Sequence, residues 1–199
     1  MKVVIVGGVA GGATAAARIR RLGERAEIVM IERSGYVSYA NCGLPYYIGG
    51  VIEDFGDLTL QTPENFRVRY RVDARVRQEA EEIDLARKRV KIRDLRTGKT
   101  YEEGYDKLLL SPGAKPIVPA IPGIEGERLF TLRTVEDTVA ISDFVRREKP
   151  RSALLIGGGF IGLQMAENLP GLGVEVTIAQ PSGDLLGIFV EDMVWGIHA

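Results

Sequence analysis

The sequence predicts an α/β protein built on parallel βαβ units, and three observations predict it. A β-branched run, Lys2–Val6, flows into the glycine-rich turn Gly7–Gly12 and then into the alanine-rich stretch Ala13–Leu22. The same plan returns later as Ser152–Ile156, Gly157–Gly162 and Phe160–Leu169. In both places a further apolar run follows, AEIVMIE at 26–32 and VEVTIA at 174–179. Two short apolar strands joined through a helix need a crossover connection, and so pair in parallel. Two such units in one chain of 199 residues are far harder to reach by chance than one.

The elements follow in order. Lys2–Val6 reads as a buried strand. Ala13–Leu22 reads as a helix ended near Gly23, and Ala26–Glu32 as the next strand. Tyr36–Gly50 is irregular at first and turns on Cys42, with Pro45 placed for an early helical turn. From Phe66 to Lys99 charged and apolar residues alternate, as in VRYRVDARVR and RKRVKIRDL, with a turn at Thr97-Gly98. That alternation predicts exposed antiparallel strands. Their arginines are interleaved with Glu79, Glu81, Glu82 and Asp84, which favours a solvated sheet face over a basic patch. Tyr105–Leu110 is a further strand, ending in Ser111-Pro112-Gly113. The Pro- and Gly-rich AKPIVPAIPGIEGE then marks a crossover or domain boundary, dividing an expected first domain, 1–115, from a second, 116–199. Thr134–Arg147 reads as a helix, and Pro170 interrupts the end of another, at about 3 kcal/mol if internal.

Composition removes several function classes. Hydrophobic residues make up 45% and charged residues 27%, which is globular composition. Lys+Arg number 26 and Asp+Glu 27, so no global field draws the chain to nucleic acid or to an acidic membrane. With Cys42 alone, neither an intrachain disulfide nor a zinc site on paired cysteines can form, no metal is expected, and a reducing compartment fits best. His198 is the sole imidazole and lies beside the last residue. The N-terminus imitates a signal peptide, but its apolar run carries four glycines and leads straight into RIRRLGER. It reads as strand, turn and helix of a cytoplasmic protein. No stretch reaches the roughly 18 apolar residues of a membrane span.

A glycine turn between strand and helix lets backbone approach a pyrophosphate, which the helix N-terminus then attracts. Gly157-x-Gly159-x-x-Gly162 has the full dinucleotide pattern. In Gly7-x-Val9-x-x-Gly12, Val9 stands where the second glycine belongs. Glu32, 20 positions after Gly12 at the end of the next strand, is placed to bind ribose hydroxyls. In the second unit Gln180 stands 18 positions after Gly162. An amide hydrogen-bonds a ribose hydroxyl without repelling a 2′-phosphate, and no arginine sits beside it to hold one. The choice between NADH and NADPH stays open.

Cys42 follows Ser38, Tyr39 and Asn41, polar groups suited to a site, in a tract rich in Gly and aromatic residues. A helix starting near Cys42 would favour a reactive thiolate. A buried structural thiol is the other reading of the local sequence.

Cys42 within SYANCGLPYYIGG resembles the redox cysteine of the single-cysteine flavoprotein disulfide reductases, within the pyridine nucleotide-disulfide oxidoreductase family. The nearest likeness is to the coenzyme A disulfide reductases. It extends through VVIVGGVAGGATAAARIRRL, YDKLLLSPGAKPIVPAIPGI and LLIGGGFIGLQMAENL, nearly the whole chain. The resemblance implies a three-layer, Rossmann-like FAD/NAD(P)-binding fold, incomplete at its C-terminus. It implies that NADPH or NADH reduces FAD, that FAD reduces the cysteine centre, and that the thiolate attacks coenzyme A disulfide or a related small disulfide. A Cys–S–S–CoA mixed disulfide stands in for the second cysteine of dithiol relatives. Full-length relatives are expected to be homodimers.

By the same resemblance, Gly7, Ala10, Gly11, Gly12, Glu32, Arg33 and the Ser111-Pro112-Gly113 turn match FAD elements. Gly157, Gly159, Phe160, Ile161, Gly162 and Gln180 match the nicotinamide cofactor site. Thr14, Arg18, Arg21, Ser38 and Asn41 match substrate contacts. The spacings of four and three put Thr14, Arg18 and Arg21 on one helix face, which without the resemblance is an ordinary polar face. Some positions depart from the family: Tyr70 where a phosphate-binding lysine can stand, Arg18 where relatives carry glutamine, and Gln164 for a usual glutamate. Family members are much longer, and this chain stops at GIFVEDMVWGIHA, inside what would be a helix. The later Gly-Asp motif and the dimerisation domain are not in it. The expectation is a truncated product with exposed apolar surface that alone binds FAD poorly and turns over nothing. Two other functions compete. An NADH oxidase or peroxidase would cycle the cysteine through a sulfenic acid, but Ala10 stands where those relatives carry a histidine. A non-catalytic nucleotide-binding remnant would be colourless.

Overall fold

The computed structural model describes residues 1–181 and 185–186. GIFVEDMVWGIHA and His198 lie outside the described residues. In chain order the elements are β1 (Lys2–Val6), α1 (Ala10–Leu22), β2 (Glu27–Glu32), α2 (Leu44–Ile48), α3 (Phe55–Leu58), α4 (Pro63–Tyr70), β3 (Val72–Val76), β4 (Gln78–Asp84), β5 (Arg89–Asp94), β6 (Thr100–Gly104), β7 (Lys107–Leu110), α5 (Val135–Glu148), β8 (Ser152–Ile156), α6 (Phe160–Asn168) and β9 (Glu175–Ala179). Short 3₁₀ turns occupy Asn41–Gly43 and Pro170–Leu172. The chain divides into two compact units, Met1–Ala40 with Thr59–Lys115, and Asn41–Leu58 with Pro116–Ala199.

The first unit has three layers. A parallel sheet in the order β3-β2-β1-β7 lies in the middle. Val4 pairs in register with Val29 on one side and Leu108 on the other. One face of the sheet, with Val3, Ile5, Ile28 and Met30, packs on Ala13 and Ala16 of α1 and Phe66 of α4. Those alanines keep α1 close to the sheet. The opposite face, with Val4, Val29 and Ile31, packs on Val90 and Ile92 of the antiparallel sheet β4-β5-β6. Five of the six residues of β2 are buried, which is why it reads as an unbroken apolar run.

Residues 66–76 differ from the sequence expectation. They form α4 and then β3, which joins the parallel sheet beside β2. Thr62 starts the helix by accepting the Asn65 N–H at 3.1 Å, and Pro63 fits its first turn. Arg71, left-handed at φ 49°, ends it. The antiparallel strands therefore begin at Gln78. Their charges are paired with one another, as in Arg93–Glu81 and Arg89–Glu102, both at 2.5 Å. Helix α1 starts at Ala10, three residues earlier than the alanine run suggests, so Gly11 and Gly12 belong to its first turn.

In the second unit β8 and β9 pair in parallel, Ser152 with Glu175 through Ile156 with Ala179. Its core joins Ile48 of α2 to Ile141, Met165, Leu169 and Val174. Pro170 is not internal to a helix: α6 ends at Asn168, and the proline opens the 3₁₀ turn that follows. Leu154 and Ile156 of β8 are exposed. Among the described residues no helix is long and apolar enough to cross a membrane.

Candidate functional site

The first glycine turn is built by close contacts that side chains would break. Gly7 has φ 98°, and a Cβ there would overlap the Ser111 carbonyl. A Cβ on Gly12 would sit 2.9 Å from the Gly7 carbonyl carbon, and one on Gly11 would strike Ser111 Oγ. The structure thus brings Gly7, Gly11, Gly12 and Ser111 together. The Ser111 N–H donates to the Val6 carbonyl at 2.7 Å, so the Ser111-Pro112-Gly113 turn leaves the end of β7 beside the end of β1. Glu32, at the end of β2, is buried and accepts the Gly8 N–H at 2.6 Å and the Ser34 N–H at 2.8 Å. Each oxygen keeps a lone pair for a further donor such as a ribose hydroxyl. Arg33 is exposed and pairs with Glu79 at 2.9 Å.

The second turn repeats this construction. Gly157 has φ 107°, and a Cβ on Gly162 would sit 3.3 Å from the Gly157 carbonyl carbon and still closer to its oxygen. The Gly158 N–H donates to Gln180 Oε1 at 2.8 Å. The likeness reaches past the glycines. Ser38, at φ 49°, donates its N–H to the Gly8 carbonyl at 2.9 Å, and Leu186, at φ 51°, donates to the Gly158 carbonyl at 3.0 Å. Each stands six residues after Glu32 or Gln180. Gly159 meets nothing within 4 Å on its Cβ side, and Gly159, Phe160 and Ile161 are exposed.

Two other helices, α4 and α5, carry their own caps. Thr134 closes a capping box with Asp137 at the start of α5, and α4 has Thr62 with Glu64 in its first turn. Neither α1 nor α6 has a side-chain cap or an acid in its first turn. The five-residue α2, behind Gly43, lacks a cap as well, but among the described residues only α1 and α6 follow a strand through a glycine turn, and their first N–H groups are offered to whatever lies in front of them.

Cys42 lies in the 3₁₀ turn Asn41–Gly43 and is exposed, so the reading of a buried thiol does not hold. Helix α2 starts two residues later, with Pro45 in its first turn. Asn41 Oδ1 is buried with no hydrogen-bond partner, an acceptor left open one residue from the thiol. Thr14, Arg18 and Arg21 stand exposed on α1, and among the described residues neither arginine has an ion-pair or hydrogen-bond partner. Arg20 is different: it donates to the carbonyls of Tyr70, Glu24 and Arg71 at 2.6–2.9 Å. Ser38 is half-buried. The structure adds Gln61, which bridges to Val37 and whose Oε1 is also buried without a partner. A lone glutamine in a loop carries no pattern that sequence reasoning could use. Among the described residues no group of three His, Cys, Asp or Glu side chains could hold a metal ion.

Known proteins share this fold. The family model for pyridine nucleotide-disulphide oxidoreductases matches residues 1–195. Coenzyme A disulfide reductase of Staphylococcus epidermidis is 39% identical over 192 residues, which are 96% of this chain and 43% of that protein. The crystal structure of reduced Bacillus anthracis CoADR-RHD matches with a TM-score of 0.96 at 51% identity, covering 99% of this chain and 36% of that one. A NAD-dependent persulfide reductase from A. fulgidus matches with a TM-score of 0.92 at 38% identity, covering 99% of this chain and 37% of that one. The chain spans less than half the length of the curated relatives it matches. The family model covers nearly the whole chain, both glycine turns and the exposed cysteine included, and the chain belongs to the pyridine nucleotide-disulphide oxidoreductase family.

Proposed function

We propose that the chain is the nucleotide-binding and thiol-bearing part of an FAD-dependent NAD(P)H:disulfide oxidoreductase whose acceptor is coenzyme A disulfide. In this reading the first unit holds FAD and the second holds NADH or NADPH. The observation that carries it is the repeated strand–glycine turn–helix, with Gly12 packed on the Gly7 carbonyl and Gly162 on the Gly157 carbonyl, because an uncapped helix end behind each of two matching turns suits two pyrophosphates. FAD, when bound, supplies a two-electron relay between the nicotinamide and sulfur.

The chain's own groups do the rest. The N–H groups of Ala10, Gly11 and Gly12 bind the FAD pyrophosphate, Glu32 accepts from its ribose, and Ser111-Pro112-Gly113 closes against the turn. At the second turn, open space at Gly159 admits the nicotinamide dinucleotide, and Gln180 faces its ribose. Arg18 and Arg21 attract the phosphates of coenzyme A. Asn41 and Ser38 hold the ligand near the thiol. The Cys42 thiolate attacks one sulfur of CoA–S–S–CoA, forming Cys42–S–S–CoA and expelling one CoA thiolate. Two electrons and a proton originating from NAD(P)H then break that mixed disulfide, restore the Cys42 thiolate and release the second CoA as its thiol. A proton from solvent completes the first, so that CoA–S–S–CoA, NAD(P)H and H⁺ give two CoASH and NAD(P)⁺.

The full enzyme in this reading is a cytoplasmic homodimer. The lone cysteine supports a reducing compartment, where the mixed disulfide turns over rather than accumulates. The test reconstitutes the protein with FAD and supplies NADH or NADPH with coenzyme A disulfide or hydrogen peroxide in parallel. Oxidation of the nicotinamide with coenzyme A disulfide is expected. Oxidation with peroxide alone would make it a peroxidase, and failure to take up FAD would make it a nucleotide-binding remnant.

A further inference from the structure

Gly49 and Asn168 fit each other in a way that neither position requires alone. Gly49 ends α2 with φ −72° and ψ −9°, a conformation open to any residue. A Cβ there would nevertheless lie 2.7 Å from Asn168 Cβ and 2.9 Å from its Cγ, and would overlap Oδ1. The glycine is needed for close approach alone. Asn168 is the last residue of α6, 6% exposed, and its Nδ2 donates back to the Gln164 carbonyl at 2.7 Å. That bond fixes the amide with its oxygen against Gly49. Beside it, Ile48 packs in the cluster with Met165 and Leu169 of α6. A buried amide in an apolar seam is a device for fixing one register. The seam joins the helix that follows Cys42 to the helix that follows the second glycine turn.

We propose that Asn168 is a positioning residue for Cys42, seating the cysteine segment on α6 through Gly49. The inference rests on the reading above, in which Cys42 is the redox thiol and Gly157–Gly162 the nicotinamide turn. Sulfur chemistry then depends on this seat, whereas transfer from NAD(P)H to the flavin does not. Ferricyanide, which takes electrons from the flavin without the thiol, separates the two steps.

The test measures NAD(P)H-driven reduction of coenzyme A disulfide and of ferricyanide by the flavin-loaded protein, with amide hydrogen exchange at residues 44–50. Asn168→Ala is expected to lower kcat with the disulfide about tenfold or more, while ferricyanide turnover and the KM for NAD(P)H stay within about twofold. Gly49→Ala is expected to do the same. Asn168→Gly removes the three atoms nearest to the new Cβ, so Gly49→Ala added to Asn168→Gly should cost no further activity. Equal losses with both acceptors, additive losses in the pair, or no loss at all would each overturn the seat. If the parent protein reduces ferricyanide but not the disulfide, or takes up no flavin, the functional reading has failed. The seat is then decided by amide exchange: faster exchange at 44–50 in Asn168→Ala supports it, and parental exchange overturns it.

Discussion

The Gly158 N–H donates to the side chain of Gln180, as the Gly8 N–H does to Glu32, but the first acceptor is an amide and the second a carboxylate. The two turns share one backbone plan and differ in the charge at the acceptor, which in the proposed function faces a ribose. A carboxylate repels a 2′-phosphate, whereas an amide does not. Gln180→Glu should therefore leave NADH turnover near the parent level and lower kcat/KM for NADPH by roughly tenfold or more. Steady-state kinetics with both nucleotides checks it, and an unchanged ratio would remove Gln180 from the ribose site.

Glu32 has a structural duty besides its proposed ligand. Glu32→Ala leaves the N–H groups of Gly8 and Ser34 without their acceptor, which should cost about 1–3 kcal/mol in denaturant unfolding as well as weakening FAD. Excess FAD should not restore the stability lost.

Two glycines of the second turn should part company under one substitution. A Cβ on Gly162 runs into the Gly157 carbonyl, so Gly162→Ala should destabilise by about 1–3 kcal/mol. Gly159 has φ −79° and nothing within 4 Å, so Gly159→Ala should change stability by less than about 0.5 kcal/mol. The same change should raise the KM for NAD(P)H several-fold if, as proposed, the pyrophosphate passes over Gly159, because the methyl would fill that path. Thermal unfolding and nucleotide titration of both variants separate folding from binding.

The arginines of α1 divide in the same way. Arg20 ties the ends of α1 and α4 together through backbone carbonyls, and Arg20→Ala should cost about 2 kcal/mol. Arg18 and Arg21 have no partner among the described residues, so their replacement by alanine should leave stability near the parent value. It should instead raise the KM for coenzyme A disulfide, more so at low salt.

A charged cluster ties the stability of the first unit to pH. Burial works against an ionised Glu103, yet hydrogen bonds from Lys2 at 2.6 Å and Arg75 at 2.5 Å hold its carboxyl below the usual range. The Glu103 bond, then that of Glu27, raises the Lys2 ammonium. Glu103 thus adds stability that is complete above the unfolded carboxyl range and is lost as pH falls through the folded value. Lys2 adds stability that is complete below the unfolded lysine value and is lost as pH rises through the folded one. Glu103→Gln should cost about 1–3 kcal/mol near pH 7, flatten the acid limb and weaken the alkaline one. A pH series of urea melts reads all three.

Much of the site is legible in the sequence because its chemistry is local. The glycine spacings, Glu32 and Gln180 lie within two short units, and Cys42 needs no partner to be noticed. Long-range pairing is what escapes. The alternation VRYRVDARVR looks like one exposed strand, but Thr62-Pro63 had already started a helix, and Val72–Val76 found its partner in β2, some forty residues back. Grouping of 41–58 with the second unit is hidden too, since Ile48 packs on Ile141, Met165 and Leu169 across about a hundred residues of chain. Arg33, one residue past β2, ends paired with Glu79 of the antiparallel sheet. The partner of Gly49 could not be guessed from a glycine whose backbone angles are ordinary.

The most direct measurement concerns one atom. Cys42→Ser in the flavin-loaded protein should abolish NAD(P)H-dependent release of coenzyme A thiol from its disulfide while ferricyanide reduction continues at the parent rate. Undiminished thiol release from the serine variant would contradict the account.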